Sequence, residues 1–80
     1  MLKIQDMIIK MPYGAVGTEV VTEFESDVKI TDFKITKGEV EKLDNNTLQI
    51  KTIVESKNYT ADLAVRTTRG LQFYKVETRI

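Results

Sequence analysis

The sequence predicts a small, mainly β domain: a barrel of five or six antiparallel strands, preceded by a short N-terminal helix. Three observations carry this reading. From Thr18 onward, apolar and polar residues alternate with a period of two. Turn-forming residues, Asp44-Asn45-Asn46 and Gly70, separate the alternating runs. With 80 residues and no cysteine, the chain makes one domain, residues 1–80, whose core rests on packed aliphatics and a well-paired sheet.

At the start of the chain, Ile4, Ile8 and Met11 recur at helical spacing with Met7 beside them, and Pro12 and Gly14 would end such a helix. Residues 3–11 are therefore read as a short helix, although the β-branched pair Ile8-Ile9 keeps a strand as the alternative. Alternation then takes over. Val20, Thr22 and Phe24 face one way and Glu19, Val21, Glu23 and Glu25 the other. Leu48, Ile50, Thr52 and Val54 form a second such stripe, and Ala61, Leu63 and Val65 a third.

Two places break phase. Val28 and Ile30 precede Phe33 and Ile35 out of step, and Leu71 and Phe73 oppose Tyr74, Val76 and Ile80. Each break implies a β-bulge or a strand buried on both faces. Residues 36–38, Thr-Lys-Gly, suit either a tight hairpin turn or a bend. The run from Gly38 to Leu48 is similar to the bent strand and turn of many small barrels. The expected architecture is thus SH3-like or Sm-like, with an oligonucleotide-binding-like barrel or a small β-sandwich as alternatives.

Composition narrows the chemistry. Twelve basic and twelve acidic residues cancel, which argues against a general polyanion binder. The Met-Leu-Lys start lacks the apolar run of a secretion signal, and no stretch is apolar enough for a membrane helix. A cytoplasmic protein that does not engage membranes is expected, and the sequons at Asn45 and Asn58 are read as chance. Without histidine or cysteine, the commonest general base, the thiol nucleophile and the usual zinc ligands are missing. Glu23, Glu25, Asp27 and Asp32 match no metal-loop spacing and read as surface acids. Gly14-Ala15-Val16-Gly17 precedes a strand rather than a helix, which makes it a turn and not a phosphate cradle. No enzymatic activity, cofactor or metal is expected.

What remains is recognition. Residues 66–80 hold all three arginines, with Arg66, Arg69, Lys75 and Arg79 against one acid, Glu77. With Tyr74 or Phe73 exposed beside them, they would form a platform for unpaired bases; with both aromatics buried, they would only solvate the last hairpin. Val21, Ile53 and Ala64 interrupt otherwise polar faces and would suit a partner's surface if grouped. The expectation is a non-catalytic module that binds a protein or itself, of the kind found among bacterial and phage accessory proteins. The alternative is a single-stranded nucleic-acid binder using Arg66, Arg69, Tyr74, Lys75 and Arg79.

Overall fold

The computed structural model describes residues 7–80. Seven strands run in chain order: β1 (Ile8–Tyr13), β2 (Glu19–Glu25), β3 (Ile30–Ile35), β4 (Glu39–Asp44), β5 (Thr47–Ile53), β6 (Thr60–Thr67) and β7 (Gly70–Arg79). They form a four-stranded sheet ordered β1-β7-β6-β3 and a three-stranded sheet ordered β2-β5-β4. All pairs are antiparallel except β1 with β7. The two sheets share one core, to which Met11, Val20, Ile30, Ile50, Leu63 and Val76 each bring a buried side chain from a different strand.

The mainly β class holds, but two expectations are corrected. The sheets do not close into an SH3-like or Sm-like barrel; β1 lies beside β2 and β3 beside β4 without joining the ladders. The N-terminal helix is replaced, from Ile8 onward, by strand β1, while residues 3–6 lie outside the described residues. The apparent helical stripe is split by the pleat: Met11 faces the core and Ile8 faces out. Extended backbone wins here because β1 gains a ladder along the long final strand, with Ile8 opposite Lys75 and Lys10 opposite Glu77. Pro12 falls at the register shift after Lys10, in an edge strand where its missing N–H is tolerated.

The stripes of β2, β5 and β6 point inward as their period requires, with Leu48, Ile50, Leu63 and Val65 fully buried. The phase break in β3 is a bulge. Ile30 opposes Thr67 and Asp32 opposes Arg66, so Thr31 is the extra residue and its hydroxyl donates to the Arg66 carbonyl at 3.1 Å. That single insertion puts Ile30, Phe33 and Ile35 on the core side together. The break in β7 has no such origin. Its ladder to β6 is regular from Thr60–Glu77 to Thr67–Gly70, so Leu71 and Phe73 simply face solvent.

Residues 36–38 form a bend between sheets, not a hairpin. Thr36 still pairs with Asp62 of β6, its amide donating to the Asp62 carbonyl at 3.0 Å, and by Glu39 the chain lies in the other sheet beside Lys51. Gly38 makes the corner at a φ of +99°, where a Cβ would stand 2.7 Å from the Lys51 carbonyl oxygen. At one end of the molecule, the β4–β5 turn is tied to the β2–β3 turn: Asn45 accepts from the Ile30 amide at 2.7 Å, and Asn46 accepts from the Ser26 amide at 2.8 Å. The Asp44 carboxylate accepts from the Asn46 amide at 2.8 Å. That bond, seconded by the Thr47 hydroxyl, holds Asp44 below the usual carboxylate range.

Two buried threonines make opposite predictions. Thr78 is fully buried, accepts from the Tyr59 amide at 3.0 Å and donates to the Tyr59 carbonyl at 3.1 Å. Thr78→Val strands that amide and is expected to cost about 1–3 kcal/mol in denaturant unfolding. Thr52 is 2% exposed, and its hydroxyl has no protein partner among the described residues. Thr52→Val removes the unsatisfied group at nearly constant volume and is expected to raise stability by about 1 kcal/mol, measured in the same way.

Candidate interaction surface

The period of two that buries one side of the four-stranded sheet leaves a second, solvated side. Rows across it follow from the registers. Leu71 stands opposite Arg66, which stands opposite Asp32; Phe73 opposite Ala64, then Lys34; and Ile8 beside Lys75, which faces Asp62. The three apolar members are well exposed: Phe73 at 66%, Leu71 at 47% and Ile8 at 47%. Because its cross-strand neighbour is only an alanine, the Phe73 ring has little to lie against. It stands on an inner strand of the sheet, with Lys75 two residues along β7, Arg66 diagonal to it on β6 and Lys34 beyond Ala64 on β3.

Charge on this face is mixed. Lys75 pairs with Asp62 at 2.8 Å, an exposed contact worth about 0–1 kcal/mol. Among the described residues, Arg66 and Lys34 enter no ion pair. The strand positions of Arg66 and Lys75 are set apart. Arg66 faces Leu71, four residues from Lys75 along β7, a separation of about 13 Å, and Phe73 lies between them.

The other residues singled out in the tail lie elsewhere. Tyr74 points inward, its ring edge-on to Phe24 at 4.7 Å between centroids and its hydroxyl donating to Gln72 Oε1 at 2.9 Å. Burial, with Asp27 as a lesser influence, raises its pKa. It contributes to the core edge rather than to the platform, and Phe73 is the exposed aromatic. Arg69 sits in the turn between β6 and β7, 3.7 Å from Asp27. That turn is set by Gly70 at a φ of +124°, with the Thr67 hydroxyl accepting from the Arg69 amide at 3.0 Å. Arg79 lies at the opposite end of β7, its guanidinium 4.1 Å from the Tyr13 ring centre and bonded to the Tyr13 hydroxyl. It fastens β1 to β7. Of the five, Arg66 and Lys75 are near Phe73 on the exposed face, and Arg79 falls on the same side of β7 but six residues away, held by Tyr13.

The second sheet presents a different outer surface. Glu23, Gln49 and Glu41 form one row; Val21, Lys51 and Glu39 the next; Glu19 and Ile53 a third. Glu25 extends it beside Thr47. Five glutamates thus surround one lysine, with Val21 and Ile53 exposed among them and Leu43 exposed near the end of β4. Val21, Ile53 and Ala64 do not form one patch, since Ala64 belongs to the other face. Neither do the four acids converge: Glu23 and Glu25 are on β2, Asp27 is by Arg69, and the Asp32 carboxylate caps the Phe33 amide at 2.9 Å. Among the described residues, no three acids are grouped to hold a metal. Residues 14–17 are a turn, with the Gly17 amide donating to the Val54 carbonyl at 2.7 Å. No helix among the described residues is long and apolar enough to cross a membrane.

The exposure of Phe73 predicts that its loss leaves the fold intact. Phe73→Ser is expected to change unfolding free energy by no more than about 0.5 kcal/mol, whereas Leu63→Ala, from the fully buried set, costs about 2–5 kcal/mol. Denaturant titration of the two variants checks the contrast. Compared with protein-family models, curated proteins and solved structures, the chain matches none significantly, and the chemistry of its own surfaces is what bears on function.

Proposed function

We propose that this chain is a non-catalytic interaction module whose outer four-stranded face, centred on Phe73, docks a protein. One observation carries the reading: a phenylalanine two-thirds exposed in mid-strand, flanked by Leu71 and Ile8, at a position that the ladder would equally allow to be polar. Aromatic and arginine residues at the centre of a patch are the side chains that contribute most when desolvated by a partner. Phe73 and Arg66 supply both. Such a module fits an accessory protein of bacterial or phage type that acts by covering a surface of its target.

A second reading has its own observation. Phe73 is exposed near Arg66 and Lys34, neither of them ion-paired among the described residues, and a flat aromatic between cations can stack an unpaired base. Asp32, Asp62 and Glu77 on the same face oppose a phosphate backbone, which ranks this reading second.

Affinity capture from the native host separates the two. The wild-type chain is expected to retain a protein after nuclease treatment, or to retain added copies of itself, and Phe73→Asp to lose at least tenfold of what is retained. Material released by nuclease would favour the nucleic-acid reading. Retention unchanged in Phe73→Asp would remove the face from consideration.

A further inference from the structure

The two outer faces are complementary. On the four-stranded sheet, Lys10, Lys34, Arg66, Lys75 and Arg79 exceed Asp32, Asp62 and Glu77 by two charges. On the three-stranded sheet, Glu19, Glu23, Glu25, Glu39 and Glu41 exceed Lys51 by four. A chain that is neutral in sum is therefore polarised across its thickness. None of the five glutamates enters an ion pair among the described residues. Each face also carries apolar residues amid its charges: Phe73, Leu71 and Ile8 on one, Val21 and Ile53 on the other.

We infer that the Phe73 face of one copy docks on the glutamate-rich face of a second copy, head to tail. This rests on the reading of the Phe73 face as a protein-docking surface and names its occupant. The molecule is flat, 37 × 32 × 17 Å, and its short axis matches two stacked sheets. Either broad face can therefore supply the roughly 800 Å² per partner of a standard interface. Apolar residues on both faces provide the burial, Phe73 in mid-sheet on one and Val21 with Ile53 toward the β2 edge of the other, and opposite charge around them selects the orientation. Two Phe73 faces meeting each other would oppose cation to cation. A contact between unlike faces leaves one face of each copy unused, so association continues into stacks or closes into a ring.

Sedimentation velocity tests this. The wild-type chain is expected to form dimers and larger species at about 0.01 M salt, where the Debye length is roughly 30 Å, and to dissociate at about 1 M, where it is roughly 3 Å. Two exposed-surface variants isolate the faces: Phe73→Glu spoils one, and Glu23→Lys with Glu41→Lys spoils the other. Each alone is expected to be monomeric with an unchanged circular dichroism spectrum. Mixed in equal amounts, they are expected to form a one-to-one dimer and nothing larger, because each keeps the face the other lacks. Arg66→Glu replaces Phe73→Glu should the latter misfold. A wild-type monomer at low salt overturns the inference, as does a mixture in which the two variants stay apart. Association that survives the double lysine variant overturns it too, by showing that the glutamate-rich face is not the occupant. Should the wild type remain monomeric while Phe73→Asp still releases a captured protein, the docking face stands and only its occupant is wrong.

Discussion

The register of the β6–β7 hairpin is the constraint on which the rest depends. Thr67 opposite Gly70 fixes the turn, and from it Leu63, Val65 and Val76 are committed to the core, Phe73, Lys75 and Arg66 to solvent. A slip by one residue would exchange the two sets. The turn resists it through the positive φ that only Gly70 supplies cheaply and through the Thr67 hydroxyl, which engages both the Arg69 amide and the Gly70 carbonyl. Because β7 also carries β1 on its other edge, the same register decides whether Met11 reaches the core. The platform and the hydrophobic interior are two sides of one alignment.

Much of this was legible in the sequence where alternation was uninterrupted. The inward stripes of β2, β5 and β6 could be read directly, and of the two readings of the break between Ile30 and Phe33, a bulge or a strand buried on both faces, the bulge is the one found. The reading failed where partners are distant or where exposed residues look like core. Strand β1 carries an apolar pattern compatible with one helical stripe, and nothing local reveals that β7 waits beside it. Leu71 and Phe73 suggested an irregular strand because large apolar residues are ordinarily assigned inward; their exposure comes from an unbroken ladder. Pairing order also decided the corner at Gly38, which leads to another sheet rather than back along the same one.

The candidate surface was only half visible for a related reason. Clustering along the chain suggested joint action by Arg66, Arg69, Lys75 and Arg79, but a hairpin of two long strands spreads them over its turn, its middle and its far end. Arg69 belongs to the turn, Arg79 to the far end of the face, where it anchors β1, and the other two to its middle. Choosing between Phe73 and Tyr74 required knowing which parity of β7 faces Phe24. Electrostatic polarity was hidden by the neutral total, since opposite charges that cancel in composition need not lie on the same side of a sheet.

The pairing of the first described strand with the last has a consequence for how the chain comes into being. Fifty-six residues separate Tyr13 from Gly70, and at a synthesis rate of about 5–20 residues per second they take roughly 3–11 s to emerge. Throughout that interval Met11 and Ile9 have no strand to lie along. The nascent polypeptide therefore carries this greasy segment unsheltered until β7 has emerged, and a trigger for premature clumping exists on the ribosome that the folded molecule no longer displays.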